Sequence, residues 1–146
     1  MPFKHQLLLS TAVLLAALAA ASASFRDRCV PGREITYESL NACREYAVRQ
    51  TCGYYLSAER QKRRCCDELS KVPELCRCEV LRILMDGRVT KEGVVKGSLL
   101  QDMSRCKKLT REFIAGIVGR EECNLETVFG RYHYCPSEYP GPEVVV

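Results

Sequence analysis

Residues 65–78 read CCDELSKVPELCRC and contain four of the ten cysteines in the 146-residue chain. Adjacent cysteines rarely bond to each other, because that linkage strains the peptide between them. Consecutive side chains on a helix point about 100° apart. We therefore expect Cys65 and Cys66 to join one helix to two different partners, and Cys76 and Cys78 to do the same from the next helix.

The number and placement of the cysteines predict a disulfide scaffold. All ten lie between Cys29 and Cys135, and an even set is most simply explained by complete pairing without a free thiol. A zinc site in a small domain usually includes histidine or repeated Cys-x-x-Cys pairs. Only His133 lies in this region, and neither close cysteine pair has that spacing. We therefore expect no metal and no cofactor.

Residues 1–24 have the pattern of a secretory signal peptide. Residues 7–23 carry no charge and are apolar or small, and residues 21–24 read ASAS, a small-residue cleavage site. A membrane-spanning helix needs about 20 strongly apolar residues, and this run is shorter and rich in alanine. We expect residues 1–24 to be removed and residues 25–146 to form one secreted domain with no membrane anchor.

Apolar residues recur at helical spacing in four stretches. Ser57 is the predicted N-cap of the second helix. Pro73 suits the first turn of the third helix, and Gly87 suits its end. The expected fold is all-α, a four-helix bundle stapled by disulfides, with long loops such as residues 86–105. The predicted helices cover about residues 39–50, 57–71, 73–87 and 108–119, the last ending at Gly119.

The charges argue against nucleic acid as a partner. The net charge is +4 at pH 7, and acidic and basic residues are mixed along the chain. The densest basic run, residues 62–64, lies in the second predicted helix, where a solvated helix face is the simpler interpretation. Nucleic-acid binding needs a broader basic surface with interleaved aromatic residues.

Catalysis is not expected either. Nucleophilic catalysis requires a serine or cysteine beside a histidine base and an orienting carboxylate. His133 is the one histidine after the predicted leader, and we interpret it as an exposed residue of the tail. The carboxylate pairs Asp67-Glu68 and Glu121-Glu122 are interpreted as helix-surface charges. The chain is therefore expected to act by binding a partner and not as an enzyme.

Five short segments accompany the cysteine pattern: CVPG at 29–32, KRRCCDEL at 62–69, CRCE at 76–79, LRILMDG at 81–87 and ECNL at 122–125. Together with the cysteine order, they resemble the cereal trypsin/α-amylase inhibitor family, of prolamin-superfamily type, and most closely its CMX-type members in wheat. Sequence alone cannot choose among so many possible cysteine pairings. The resemblance implies the disulfides Cys29–Cys76, Cys43–Cys65, Cys52–Cys106, Cys66–Cys123 and Cys78–Cys135.

The resemblance also implies a function, that of a secreted seed inhibitor of digestive hydrolases with a role in plant defence. The partner would be an α-amylase or a serine protease such as trypsin, of insect or mammalian origin. Two alternatives stay open. A seed storage or structural protein needs no binding site, and a lipid carrier of a related fold encloses an apolar tunnel, although such carriers usually have fewer cysteines.

In the family's amylase inhibitors, the N-terminal arm enters the substrate cleft of the enzyme, assisted by the segment before the sixth cysteine. The matching positions are residues 25–34 and 73–75. Basic side chains in the arm suit a glycosidase cleft with its carboxylate pair. The alternative is a solvated tail held at Cys29. The amylase-contact candidates are Phe25, Arg26, Arg28, Pro73, Glu74 and Leu75.

In the family's trypsin inhibitors, the loop between the third cysteine and the Cys-Cys pair presents an arginine in a Gly-Pro-Arg-Leu segment. Residues 52–60 read CGYYLSAER, a shorter loop without that Pro-Arg. Arg60 falls within the second predicted helix, where a protease cannot read it as an extended strand. The protease-loop candidates are Tyr54, Tyr55 and Leu56, which favour a chymotrypsin-like target. The alternative is that the tyrosines cover a helix junction.

Overall fold

The computed structural model describes residues 29–35, 40–53, 57–128 and 133–138. The predicted leader, residues 1–24, lies outside these ranges. Within them the fold is helical with one small β-hairpin, so the all-α prediction is confirmed. In chain order the elements are α1 (Asn41–Thr51), α2 (Glu59–Ser70), a 3₁₀ turn (Glu74–Cys76), α3 (Arg77–Asp86), β1 (Arg88–Val89), β2 (Val95–Lys96), α4 (Leu99–Asp102), α5 (Arg111–Ala115) and a second 3₁₀ turn (Gly116–Val118).

Helices α1 and α2 pack together and are joined by the Cys43–Cys65 disulfide, with Cα atoms 4.3 Å apart. The residue that precedes α1, Leu40, makes no side-chain cap. Instead, Glu68 of α2 accepts a hydrogen bond of 2.8 Å from the backbone N–H of Ala42. A carboxylate at a helix N-terminus satisfies a free N–H group and interacts favourably with the helix dipole. The start of α1 therefore depends on its contact with α2.

The predicted N-cap of α2 is wrong by one position. Helix α2 begins at Glu59, and the residue in the cap position is Ala58, which makes no side-chain hydrogen bond. The hydroxyl oxygen of Ser57 lies 3.4 Å from the backbone nitrogen of Glu59, which is a long hydrogen bond at an exposed position. Because Ala58 is buried in the core, packing and not capping sets where the helix begins.

Helix α3 carries the apolar face that the sequence predicts. Leu81 and Met85 are almost fully buried along it. Pro73 precedes the first 3₁₀ turn, with φ −50° and ψ 138°, so it lies before the helical segment and not in its first turn. The helix ends at Gly87, as predicted, where φ is +77°.

The connection expected to be a loop over residues 86–105 contains regular structure. Strands β1 and β2 pair antiparallel, with Val89 opposite Val95. Helix α4 follows, and the hydroxyl of Ser98 accepts a hydrogen bond from the backbone N–H of Gln101 and donates one of 2.8 Å to the carbonyl of Met85. Two-residue strands and a four-residue helix are too short to show a hydrophobic period.

Helix α5 is shorter than the predicted helix over residues 108–119. Thr110 has an extended backbone and its side chain accepts a hydrogen bond from the backbone N–H of Phe113, so the helix starts at Arg111. Leu109 is buried, but it lies before this cap. The chain continues as a 3₁₀ turn and stops at Gly119, as predicted.

The core is lined by side chains from α1 to the second 3₁₀ turn, and the fully buried apolar ones include Leu69, Leu81, Leu99, Ile114 and Ile117. All ten cysteines are paired, and the pairs are those that the family resemblance implies. No helix among the described residues is long and apolar enough to span a membrane. The disulfides are Cys29–Cys76, Cys43–Cys65, Cys52–Cys106, Cys66–Cys123 and Cys78–Cys135.

Two glycines allow a matched test of this packing. A Cβ atom at Gly87 would lie 2.6 Å from the carbonyl oxygen of Lys96, whereas one at Gly93 would meet nothing within 4 Å, and both glycines have positive φ. Gly93→Ala should cost about 1–2 kcal/mol of unfolding free energy from the left-handed backbone alone. Gly87→Ala should cost about 1–3 kcal/mol more, because the hairpin has to shift. Urea unfolding measures both variants, and equal losses would contradict the close approach.

Candidate functional site

The two predicted amylase-contact segments meet at one disulfide. Cys29, at the base of the N-terminal arm, is bonded to Cys76, and their Cα atoms are 5.3 Å apart. The sulfur of Cys29 also lies 3.6 Å from the carbonyl oxygen of Leu75. Cys29 therefore lies directly beside residues 75 and 76. Phe25, Arg26 and Arg28 themselves lie outside the described residues.

The base of the arm is a closed turn. Residues 31 and 35 form a β-bridge, and the backbone N–H of Arg33 donates to the carbonyl of Val30 at 3.1 Å. The turn requires positive φ at Gly32, where φ is +90°. Glu34 accepts a hydrogen bond from the backbone N–H of Val30, and Ile35 is buried. The turn therefore holds the point from which the arm leaves the fold.

The side chains of the second segment, residues 73–75, differ in their exposure to solvent. Pro73 and Glu74 are exposed, whereas Leu75 is half-buried against the core. The backbone N–H of Cys76 donates to the carbonyl of Pro73 at 2.8 Å, which closes the 3₁₀ turn. The segment is therefore a short, ordered ridge beside the arm. Sequence reasoning missed Arg77, which it treated only as the residue between Cys76 and Cys78. Its side chain donates hydrogen bonds to backbone carbonyls of residues 70 and 72, directly before this ridge.

The predicted protease loop has both ends held by the fold. Cys52 is bonded to Cys106, and at the other end Ala58 is buried. Gly53, two residues beyond the end of α1, has φ +82°, which glycine adopts without steric cost. The candidates Tyr54, Tyr55 and Leu56 lie outside the described residues. Arg60 lies in the first turn of α2, as predicted.

The basic run and the carboxylate pairs have structural partners that the sequence did not indicate. Lys62 forms an ion pair of 3.1 Å with Glu122, which also accepts a hydrogen bond of 2.6 Å from the hydroxyl of Tyr46. Burial raises the pKa of Tyr46 above its ordinary value, and the neighbouring Glu122 carboxylate raises it further. The interpretation of Glu121-Glu122 as helix-surface charges is wrong, because these residues form a turn that α1 and α2 hold. Glu68 is likewise occupied at the start of α1.

His133 is half-buried and not exposed as expected. Its φ is +49°, and its Nδ1 atom is buried without a hydrogen-bond partner among the described residues. No group of three His, Cys, Asp or Glu side chains in the described ranges is arranged to bind a metal ion.

An open cleft of about 470 Å³ lies between α5 and residues 134–138. Glu112 and Glu138 line it together with small and apolar groups. Two carboxylates at an open cleft do not suit the enclosed apolar tunnel of a lipid carrier, because a charged group loses hydration beside an acyl chain. None of the predicted amylase-contact residues that the structure describes lines this cleft.

Comparison with known proteins gives the family. Residues 29–129 match the protease inhibitor/seed storage/LTP family. The chain belongs to this family. It is 93% identical over 121 residues to trypsin/alpha-amylase inhibitor CMX1/CMX3 of Triticum aestivum, an alignment that covers 83% of this chain and 100% of that protein.

Other members agree over most of the chain. Trypsin inhibitor CMe of Hordeum vulgare is 47% identical over 149 residues, with 100% of both chains covered. Among solved structures, the bifunctional inhibitor RAGI superposes with a TM-score of 0.64 at 42% identity, over 76% of this chain and 97% of that one. The recombinant bifunctional Hageman factor/amylase inhibitor from maize superposes with a TM-score of 0.62 at 41% identity, over 74% of this chain and 96% of that one. The family relation thus rests on both sequence and fold.

The Cys29–Cys76 bridge should control the order of the arm base and of the ridge together. Replacing both cysteines by serine opens a connection of sequence separation 47 and should cost about 2–4 kcal/mol. Hydrogen exchange measured by mass spectrometry should become faster at residues 29–35 and 73–76, while α1 and α2 stay protected by Cys43–Cys65.

The matched control removes the neighbouring bridge, which Cys78 of α3 forms with Cys135. Serine at both Cys78 and Cys135 should instead speed exchange at residues 133–138. Unchanged exchange at residues 29–35 and 73–76 after loss of the first bridge would contradict the proposed coupling of the two segments.

Proposed function

We propose that this chain is a secreted seed inhibitor of digestive hydrolases and that its first target is an α-amylase of insect or mammalian origin. The observation that carries the proposal is the Cys29–Cys76 bridge, which joins the base of the arm to the ridge at residues 73–75. Two segments that are distant in sequence thereby form one binding surface. Relatives named trypsin/alpha-amylase inhibitor support the same function.

The chemistry of the arm suits a glycosidase cleft. Such clefts work with a pair of carboxyl groups and are negatively charged. Cleavage of the leader after Ser24 would expose an α-amine at Phe25, and Arg26 and Arg28 follow it. These cations complement the cleft, and the closed turn at the arm base lowers the ordering cost of binding. The exposed Pro73 and Glu74 then lie where they contact the rim of the cleft.

The disulfides and the predicted leader support a secreted protein. Five disulfides persist only in an oxidising compartment, such as the secretory route that a signal peptide opens. A role in binding and not in catalysis agrees with the relatives, which are named as inhibitors. Secretion from a seed would bring the protein into contact with the digestive enzymes of animals that eat it, which is the proposed role in plant defence.

A serine protease is the second candidate target, because three relatives that are 93%, 92% and 47% identical to this chain carry trypsin in their names. The Cys52–Cys106 disulfide and buried Ala58 hold the two ends of the loop that contains residues 54–56. A loop held at both ends can mimic a substrate at low entropic cost. Tyr55 precedes Leu56 at the position where an arginine would suit trypsin, so a chymotrypsin-like protease is the expected target.

Titration of the oxidised protein beginning at Phe25 against insect and mammalian α-amylases tests the first target. We expect an inhibition constant below about 1 μM for at least one amylase, and at least about tenfold weaker inhibition after removal of residues 25–28. Arg63→Ala is the matched control, because it removes one exposed positive charge from α2 and should leave inhibition unchanged. Full inhibition without residues 25–28 would rule out the arm.

The same protein separates the remaining alternatives. No inhibition of amylase, trypsin or chymotrypsin by fully oxidised protein would favour the storage role. Retention of a fluorescent fatty acid would favour the lipid carrier.

Replacement of Tyr55 tests the protease target. Tyr55→Ala should weaken inhibition of chymotrypsin by at least about tenfold, because the specificity pocket loses its aromatic ligand, whereas Tyr55→Phe should retain it. Neither variant should change amylase inhibition, since the arm is held by a different disulfide. Chymotrypsin inhibition that is unchanged in Tyr55→Ala would exclude this loop as the reactive site.

A further inference from the structure

The side chain of Arg77 binds three backbone carbonyl groups at once. Its Nε atom donates to the carbonyl of Val72 at 3.2 Å, Nη2 donates to that of Ser70 at 3.3 Å, and Nη1 donates to that of Glu126 at 2.7 Å. Arg77 is half-buried at the first position of α3. The planar guanidinium fork suits several acceptors in fixed directions, which a lysine ammonium group does not.

Two of these carbonyls belong to the link that leads into the ridge. Ser70 and Val72 lie at and just beyond the end of α2, where helical carbonyls have no partner within the helix. The backbone N–H groups of this link are used by α2 itself, since Lys71 donates to Glu68 and Val72 donates to Leu69. Arg77 therefore supplies the donors that hold the chain directly before Pro73.

The third carbonyl ties this link to the C-terminal part of the fold. Glu126 precedes Thr127, which is buried and donates a hydrogen bond of 2.8 Å to the carbonyl of Tyr134. The next residue, Cys135, is bonded to Cys78 of α3. Arg77 thus links the chain before Pro73 to a segment that two further interactions hold in place.

The ridge is consequently held at both ends. Beyond residue 75, the Cys29–Cys76 disulfide holds it to the arm, and before residue 73 the guanidinium of Arg77 holds it to α3 and to Glu126. Only residues 73–75 lie between these two attachments. Their conformation is therefore imposed by groups that need not touch an enzyme.

We propose that Arg77 is a positioning residue of the inhibitory surface, which orders the ridge at residues 73–75 for contact with the amylase. This inference rests on the proposed amylase inhibition and assigns a residue that acts through the ridge. A positioning role differs from general stabilisation of the fold, because its loss weakens amylase binding and leaves the protease loop after Cys52 unaffected.

The test compares Arg77→Lys with Arg44→Lys in the full mature protein. Both variants keep the charge and lose a guanidinium that bridges segments, and Arg44 donates to the carbonyl of Gly97 and to Asp102. We expect Arg77→Lys to raise the inhibition constant for α-amylase about tenfold and Arg44→Lys to leave it unchanged. Equal amylase inhibition by Arg77→Lys and the wild type, or an equal loss in Arg44→Lys, would overturn the proposal.

Hydrogen exchange separates failure of this inference from failure of the proposed function. In Arg77→Lys, amides of residues 71–76 should exchange faster, while those of α1 and α2 keep their wild-type rates. Unchanged exchange at residues 71–76 would overturn the positioning role even if the wild type inhibits amylase. A wild type that inhibits no amylase would overturn the proposed target, and exchange would still report whether Arg77 orders the ridge.

Discussion

The adjacent disulfides at Cys65 and Cys66 constrain most of the fold. On one side, Cys65 holds α1 against α2 through Cys43, and on the other, Cys66 draws Cys123 and its turn onto the same helix. This second bridge brings Glu122 within reach of Lys62 and Tyr46, so a charged and hydrogen-bonded cluster forms where three segments meet. A small domain has limited apolar area to bury, and such covalent links restrict its unfolded state.

The second pair of close cysteines connects the first and last segments of the described chain to the region where α3 begins. Cys76 holds the base of the N-terminal arm, and Cys78 holds Cys135 near the C-terminus. Between these two residues lies Arg77, whose guanidinium reaches the link before Pro73. The covalent and hydrogen-bonded attachments of the ridge therefore come from one short stretch at the start of α3. The proposed inhibitory surface depends on such attachment, because every residue that is already ordered lowers the entropic cost of binding.

Sequence reasoning succeeded where the deciding interactions are local or follow a family pattern. The apolar spacing of α3, with its stop at Gly87, depends on neighbours within one helix. The predicted bounds of α1 and α2 agree with the structure to within about two residues, although contacts with other elements set where each helix begins. The sequence did not predict β1, β2 and α4, because these elements are too short to show a hydrophobic period. It also misplaced a helix start where two neighbouring residues could each occupy the cap position. Ser57 has the chemistry of an N-cap, but the burial of Ala58 decides the start of α2.

By itself, the sequence determined the helical class of the fold and, through the cysteine order and its local segments, the family. These are properties of residues close along the chain or of a pattern that can be compared directly. Only the tertiary structure decided which polar groups act together: Glu68 with the start of α1, Glu122 with Tyr46, and Arg77 with Glu126. Partners in these three interactions are separated by 26, 76 and 49 residues. No local period encodes such separations, and these contacts form only after the disulfides and the core have brought the segments together.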